Sequence, residues 1–82
     1  MPAVKLYTLS TCSHCKNTKQ YLNNLGVSYD FIDVDLLQGQ ERADMIDEVK
    51  RYNPAVSFPT ILIGDRSIIG FKENEIREAL GL

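Results

Sequence analysis

Residues 10–15 read Ser10-Thr11-Cys12-Ser13-His14-Cys15, and they hold both cysteines and the only histidine of the 82-residue chain. Two cysteines at this spacing can trade electrons, help grip a metal, or staple a fold. Stapling is the weakest reading. A link between Cys12 and Cys15 closes almost no loop in the unfolded chain, so it removes little chain entropy. Burial is marginal for a chain this short, though such chains do fold alone. The pair cannot supply the missing stability, and its spacing points to chemistry. The segments on either side decide which fold carries it.

Upstream, Val4-Lys5-Leu6-Tyr7-Thr8 alternates and is rich in strand formers, which predicts a first strand. Downstream, Thr18, Tyr21, Leu22 and Leu25 recur at i, i+3, i+4 and i+7, one face of a helix. Gly26 is its stop signal. Tyr29-Asp30-Phe31-Ile32-Asp33-Val34 predicts a second strand. Met45, Val49 and Tyr52, with Ile46 beside them, mark a second helix. Glu41, Asp44, Asp47 and Glu48 lie in its first turns and Lys50 and Arg51 near its end, an order that suits the helix dipole. Pro54 forces the chain out of helix by Asn53.

Thr60–Ile63, then Gly64-Asp65, then Arg66–Ile69 reads as a hairpin, with glycine at the first central position of a two-residue turn. Ile76, Ala79 and Leu80 predict a short last helix ended by Gly81. The expected order is β-α-β-α-β-β-α, one α/β domain over residues 1–82. Its first two strands, joined by a helix, form a parallel pair, and its last two are antiparallel. That gives a four-stranded mixed sheet flanked by three helices. A CxxC pair beside a βαβ pattern is a thioredoxin-like redox signal.

The overall composition agrees with this reading. Hydrophobic residues make up 44% and charged residues 24%, the balance of an ordinary globular protein. The net charge is −2 with scattered Lys and Arg, so no basic stripe draws nucleic acid and no polybasic tail draws a membrane. No apolar run approaches the roughly 20 residues of a spanning helix. Met1-Pro2-Ala3-Val4-Lys5 has no long apolar region of the kind a signal peptide needs. The cytoplasm is the expected location. There a lone CxxC is catalytic or metal-binding more often than structural.

Cys12 ends the loop after the first strand, and Cys15 falls in the first turn of the helix. Free N–H groups and the positive dipole end at that turn favour thiolate. Cys12 is therefore expected to be the low-pKa nucleophile. Cys15, one turn on, is expected to resolve the mixed disulfide. A closed zinc site wants four ligands and usually a second Cys or His pair, which this chain lacks. No metal site is expected within the chain. His14, just before Cys15, has two open readings. A partly positive imidazole would stabilise the Cys12 thiolate and make the disulfide more oxidising, or the ring is simply exposed.

Together these residues resemble the glutaredoxin family. Tyr7-Thr8-Leu9-Ser10-Thr11-Cys12-Ser13-His14-Cys15 is similar to its redox motif. Ser57-Phe58-Pro59-Thr60 sits where the family has its cis-proline, and Ile69-Gly70-Phe71-Lys72 where it has a glycine turn before the last helix. The resemblance spans nearly the whole chain and implies a thioredoxin fold. It implies that Pro59 is cis and faces Cys12, with Phe58 offering backbone groups to an incoming peptide or glutathione. From the residues alone, Pro59 reads as an ordinary trans proline opening a strand.

Two departures stand out. Glutathione-using members usually carry lysine three residues before the first cysteine, where this chain has Leu9. They usually have two glycines and an acid in the last turn, where this chain runs Gly70-Phe71-Lys72. Lys72, or Lys50 and Arg51, would partly replace the lost lysine. The Gly-Phe-basic turn looks like that of the glutaredoxin-like hydrogen donors of ribonucleotide reductase, which draw electrons from thioredoxin reductase. Phe71 either presents an aromatic face to such a reductase or plugs the core.

The resemblance thus implies a monomeric dithiol oxidoreductase acting on protein disulfides or glutathione mixed disulfides. It holds no cofactor of its own, and its electrons come from glutathione or a flavoprotein reductase. The alternative is an iron–sulfur carrier, a dimer bridging a cluster through Cys12 and glutathione. A third reading is a non-catalytic adaptor whose Cys12 titrates as an ordinary thiol. Asp33 and Asp35, at a strand end, are expected to form a solvated edge and a cap before the second helix rather than an acid pair. Tyr7, Tyr21, Tyr29 and Tyr52 are expected to face the core. Glu73 and Glu75 are expected to favour the start of the last helix.

Overall fold

The computed structural model describes residues 2–82. Met1, which opens the stretch examined for a leader, lies outside the described residues. Eight segments follow in order. They are β1 (Val4–Thr8), α1 (Ser13–Asn24), β2 (Asp30–Asp33), a 3₁₀ turn (Val34–Leu36), α2 (Gly39–Tyr52), β3 (Thr60–Ile63), β4 (Arg66–Ile69) and α3 (Glu73–Leu80). The sheet order is β2-β1-β3-β4. β1 and β2 are parallel, with Thr8 opposite Asp33. β3 runs antiparallel to both its neighbours, with Thr60 opposite Tyr7 on one side and Ile69 on the other. This is the expected thioredoxin fold.

Strand alternation sends successive side chains to opposite faces. Val4, Leu6, Ile61, Ile63 and Ile68 cover one face and meet Leu22 of α1 and Ile76 and Leu80 of α3 in a single core cluster. Leu6, Leu22, Ile61 and Ile76 are wholly buried, each contributing roughly 2 kcal/mol by area removed from water. The other face carries Tyr7, Thr60 and Leu62, and α2 packs over it. α2 buries only Val49 completely. Polar contacts fasten it instead. The Tyr7 hydroxyl donates to the Glu48 carboxylate, and Lys5 Nζ lies 3.3 Å from the same acid.

The hairpin forms where expected. Gly64 at its first central position has φ +57°, and a Cβ there would stand 3.3 Å from Pro2 Cβ. Glycine meets both demands of that turn. No helix among the described residues is long and apolar enough to cross a membrane.

Three details differ from the sequence reading. β2 covers Asp30–Asp33 only, because Val34 turns into the 3₁₀ segment and buries its side chain there. α2 begins at Gly39, before any apolar periodicity, with no side-chain cap. Tyr52 does not face the core: it is 41% exposed. Its ring stacks on Tyr7 with centroids 6.4 Å apart, so only one side of it is covered. Its spacing from Val49 and Met45 suited a buried position, but α2 ends at Tyr52.

Candidate active site

The register places four segments at one end of the sheet. β1 and β2 end there, β3 begins there, and β4 ends there. Consequently the Leu9–Cys12 loop, Asp35, Phe58-Pro59 and Gly70-Phe71 converge, although they are scattered along the chain.

Cys12 is the N-cap of α1, with extended backbone (φ −85°, ψ 120°). Oxygen-bearing side chains usually hold that position and accept from the first-turn N–H groups. Here the sulfur does it: Cys15 N–H donates to Cys12 Sγ at 3.4 Å. The loop is closed by Cys12 N–H on the Leu9 carbonyl at 3.2 Å, and the helix begins with Lys16 N–H on the Cys12 carbonyl at 3.1 Å. Both cysteines are free thiols; Cys12 is half-buried and Cys15 fully buried.

The two sulfurs are tuned in opposite directions. Burial pushes the Cys12 thiol up, but hydrogen bonds from the Cys15 side chain and from the backbone N–H groups of Cys15 and His14 outweigh it and hold the pKa below the ordinary cysteine value. Burial pushes the Cys15 thiol up to about 12 against a hydrogen bond from the Leu9 backbone, and the hydrogen bond and charge of Cys12 push it the same way as burial. One thiol is poised to attack and the other is held protonated.

The loop carrying Cys12 is anchored by a residue the sequence reading did not single out for it. Ser10 N–H donates to Asp35 Oδ1 at 2.8 Å, and the Ser10 hydroxyl donates to the other oxygen. Those two bonds, the hydroxyl's first, hold the Asp35 carboxyl below its ordinary range. Asp33 turns elsewhere. It accepts from Thr8 Oγ1 at 2.5 Å and lies 3.2 Å from Lys19 Nζ. The two acids do not form a pair, but neither caps α2, which has no side-chain cap: Asp33 holds Thr8 and Lys19, and Asp35 holds Ser10.

The Phe58–Pro59 bond is cis. Pro59 is buried and Phe58 half-buried. The segment leading to them is clasped by Asn53, which is 1% exposed. Its amide nitrogen donates to the Ser57 carbonyl at 3.0 Å, to Ser57 Oγ at 2.9 Å and to Thr60 Oγ1 at 3.1 Å. Its backbone carbonyl accepts from Val56 N–H at 2.9 Å. Within this clasp Val56 has φ +50°, a left-handed conformation rare for a β-branched residue. The sequence offered no sign of this beyond Asn53 preceding a proline.

The remaining residues are placed as follows. Gly70 has φ +88° and donates its N–H to the Pro59 carbonyl at 2.9 Å, joining the glycine turn to the proline. Phe71 is half-buried against the core cluster, edge-on to Tyr21 at 5.6 Å. Lys72 is exposed and lies 3.7 Å from Glu75. His14 is exposed in the first turn of α1. Lys50 and Arg51 are exposed in the last turn of α2. A cleft of ≈ 300 Å³ beside Tyr52, Leu62 and Arg66 lies at the hairpin end, remote from the cysteines. Cys12 is only partly covered, whereas Cys15 is fully buried.

Comparison with known proteins agrees with this geometry. A family model described as glutaredoxin matches residues 4–68. Methanoredoxin from Methanosarcina acetivorans superposes with a TM-score of 0.92 and 48% identity, over 99% of this chain and 86% of that one. The glutaredoxin from Methanosarcina mazei Go1 gives 0.90 and 51%, over 99% and 80%. An uncharacterized glutaredoxin-like 8.6 kDa protein in the rubredoxin operon of Clostridium pasteurianum is 32% identical over 73 residues, which is 89% of this chain and 91% of the relative.

Proposed function

From the premise that this chain belongs to the glutaredoxin family, we propose that it is a dithiol oxidoreductase that reduces protein disulfides or glutathione mixed disulfides through Cys12 and Cys15. One observation carries the reading: Cys12 is a half-buried, low-pKa thiol capping α1, while Cys15 is fully buried one turn away with its pKa pushed up to about 12. The thiolate of Cys12 attacks the substrate disulfide and expels one thiol. Cys15 then attacks Cys12 Sγ, releases the second thiol and leaves the Cys12–Cys15 disulfide. Phe58, beside Pro59, offers its backbone to the incoming chain, and Gly70 keeps that turn open. His14 tunes the pair, and Phe71 and Lys72 border the bound thiol.

The oxidised pair is recharged in the cytoplasm by glutathione or by a flavoprotein such as thioredoxin reductase, and the chain works as a monomer. The test is NADPH-driven disulfide reduction, run in parallel with glutathione plus glutathione reductase and with thioredoxin reductase alone. Turnover with glutathione means that Leu9 and the Phe71-Lys72 turn leave a working glutathione site. Turnover with thioredoxin reductase alone means a site shaped for a protein donor. Cys12→Ser is expected to abolish turnover, and Cys15→Ser to accumulate mixed disulfide on Cys12. Full activity in Cys12→Ser would sink the proposal.

A further inference from the structure

We propose that Lys19, tethered by Asp33 and the Phe31 ring, is the positive charge that helps buried Cys15 become a thiolate and resolve the mixed disulfide on Cys12. This rests on the dithiol reading above. It deepens that reading by giving the second step its own electrostatic support, separate from that of the first.

The second step poses a physical problem. Cys15 is completely buried, and burial disfavours the charged sulfur. Yet only the thiolate attacks. The N-terminal dipole and free N–H groups of α1 are already used by Cys12. A hydrogen bond from the Leu9 backbone favours the Cys15 thiolate, and a positive charge facing Cys15 adds to it.

Lys19 is that charge. It stands four residues after Cys15 on α1, hence one turn along the same face. Long helical side chains lean back toward the N-terminus, over the turn at i−4, and for Lys19 that turn holds Cys15. A surface lysine would wander, but this one is pinned. Its Nζ lies 3.2 Å from Asp33 Oδ1 and 3.9 Å from the centroid of the Phe31 ring. Asp33 is in turn fixed by Thr8 Oγ1 at 2.5 Å, and Thr8 is wholly buried. Three residues of β1 and β2 thus hold one ammonium group against α1, and the Lys19 side chain is only 21% exposed. Two charged groups act on Cys15: Cys12, which holds its proton on, and Lys19, which draws it off. Asp33 acts through Lys19, whose charge it partly offsets.

The timing follows from this pairing. While Cys12 is a free thiolate, its charge opposes ionisation of Cys15. Once Cys12 is tied up in a mixed disulfide that charge is gone, and Lys19 acts unopposed by it. Cys15 then loses its proton to solvent and its sulfur bonds to Cys12 Sγ. The bond from Cys12 to the substrate sulfur breaks, and the leaving sulfur departs with the electron pair and takes up a proton. The protein dithiol is oxidised by two electrons and the substrate sulfur is reduced.

A purely structural Lys19–Asp33 pair would tie α1 to β2 and do nothing to the second step. The two roles separate in stopped-flow reaction of the reduced protein with 5,5′-dithiobis(2-nitrobenzoate), which releases one coloured thiolate when Cys12 attacks and a second when Cys15 resolves. In Lys19→Met, and in Lys19→Gln as a second variant, the second phase is expected to slow at neutral pH and its pH midpoint to rise by about one unit. A one-unit rise cuts the thiolate population about tenfold. The greater nucleophilicity of a higher-pKa thiol restores about threefold, leaving about a threefold slower phase. The first phase is expected to stay within error of wild type, and Lys19→Arg to restore the second. An unchanged second-phase midpoint, or equal slowing of both phases, would overturn the assignment. Wild-type protein that shows no second phase would instead remove the dithiol reading, and this inference with it.

Discussion

The two faces of the sheet are built from different materials. Beneath α1 and α3 lies a continuous aliphatic layer of Val4, Leu6, Leu22, Ile61, Ile63, Ile68 and Ile76. Beneath α2 only Val49 is an apolar helix residue wholly out of solvent, and Lys5, Tyr7, Glu48, Asn53 and Thr60 make the contacts. Apolar contact is non-directional and scales with area. Hydrogen bonds contribute less net stability but specify geometry. The aliphatic face therefore holds the molecule together. The polar face aims the segment that carries Phe58 and Pro59. Glu48 shows the directional character: the Tyr7 hydroxyl and then the Lys5 ammonium overcome burial and keep its carboxyl below the ordinary range.

Removing a side chain from each face should break this contrast in opposite ways. Leu22→Ala opens a cavity in the aliphatic layer and is expected to cost about 2–5 kcal/mol. Chemical denaturation would show it, while titration of the Cys12 thiol in the folded protein stays where it was. A shifted Cys12 titration would mean the aliphatic face also tunes the site. Asn53→Ala removes one buried amide that serves three acceptors and is expected to cost roughly 1–3 kcal/mol. Its larger effect falls on disulfide reduction per folded molecule, because the backbone before Pro59 loses its clasp. Unimpaired turnover in that variant would refute the aiming role.

The smallest expected effect sharpens the comparison. Val56 is held at φ +50° by its N–H bond to the Asn53 carbonyl. A non-glycine residue in that region costs of order 1–3 kcal/mol, and glycine would add flexibility to the unfolded chain in exchange. Val56→Gly is expected to gain up to about 1 kcal/mol by thermal denaturation. A loss instead would show that the valine methyl groups matter more than the backbone.

Much of this was legible in the residues. β1, α1, the hairpin and α3 follow from alternation, helical spacing and glycine placement, all of which act over a few residues. The Cys12-x-x-Cys15 pair at the start of α1 was legible for the same reason. Other parts were not. Tyr52 matched a buried spacing, yet its last-turn position leaves it half outside. Asp35 was read with Asp33 as a strand end, but it secures Ser10, 25 residues away. The partners of Lys19, Asn53 and Glu48 have no sequence mark.

The sequence alone determined the order of elements, the two reacting sulfurs and their place at a helix start, because periodicity, turn chemistry and capping are local properties. Only the tertiary structure decided what surrounds those sulfurs. β1 lies between β2 and β3, and that pairing brings Asp35, the Asn53 clasp, Gly70 and the Asp33-held Lys19 to one end of the sheet. Those contacts depend on strand pairing across long stretches of chain, which no short pattern of residues records.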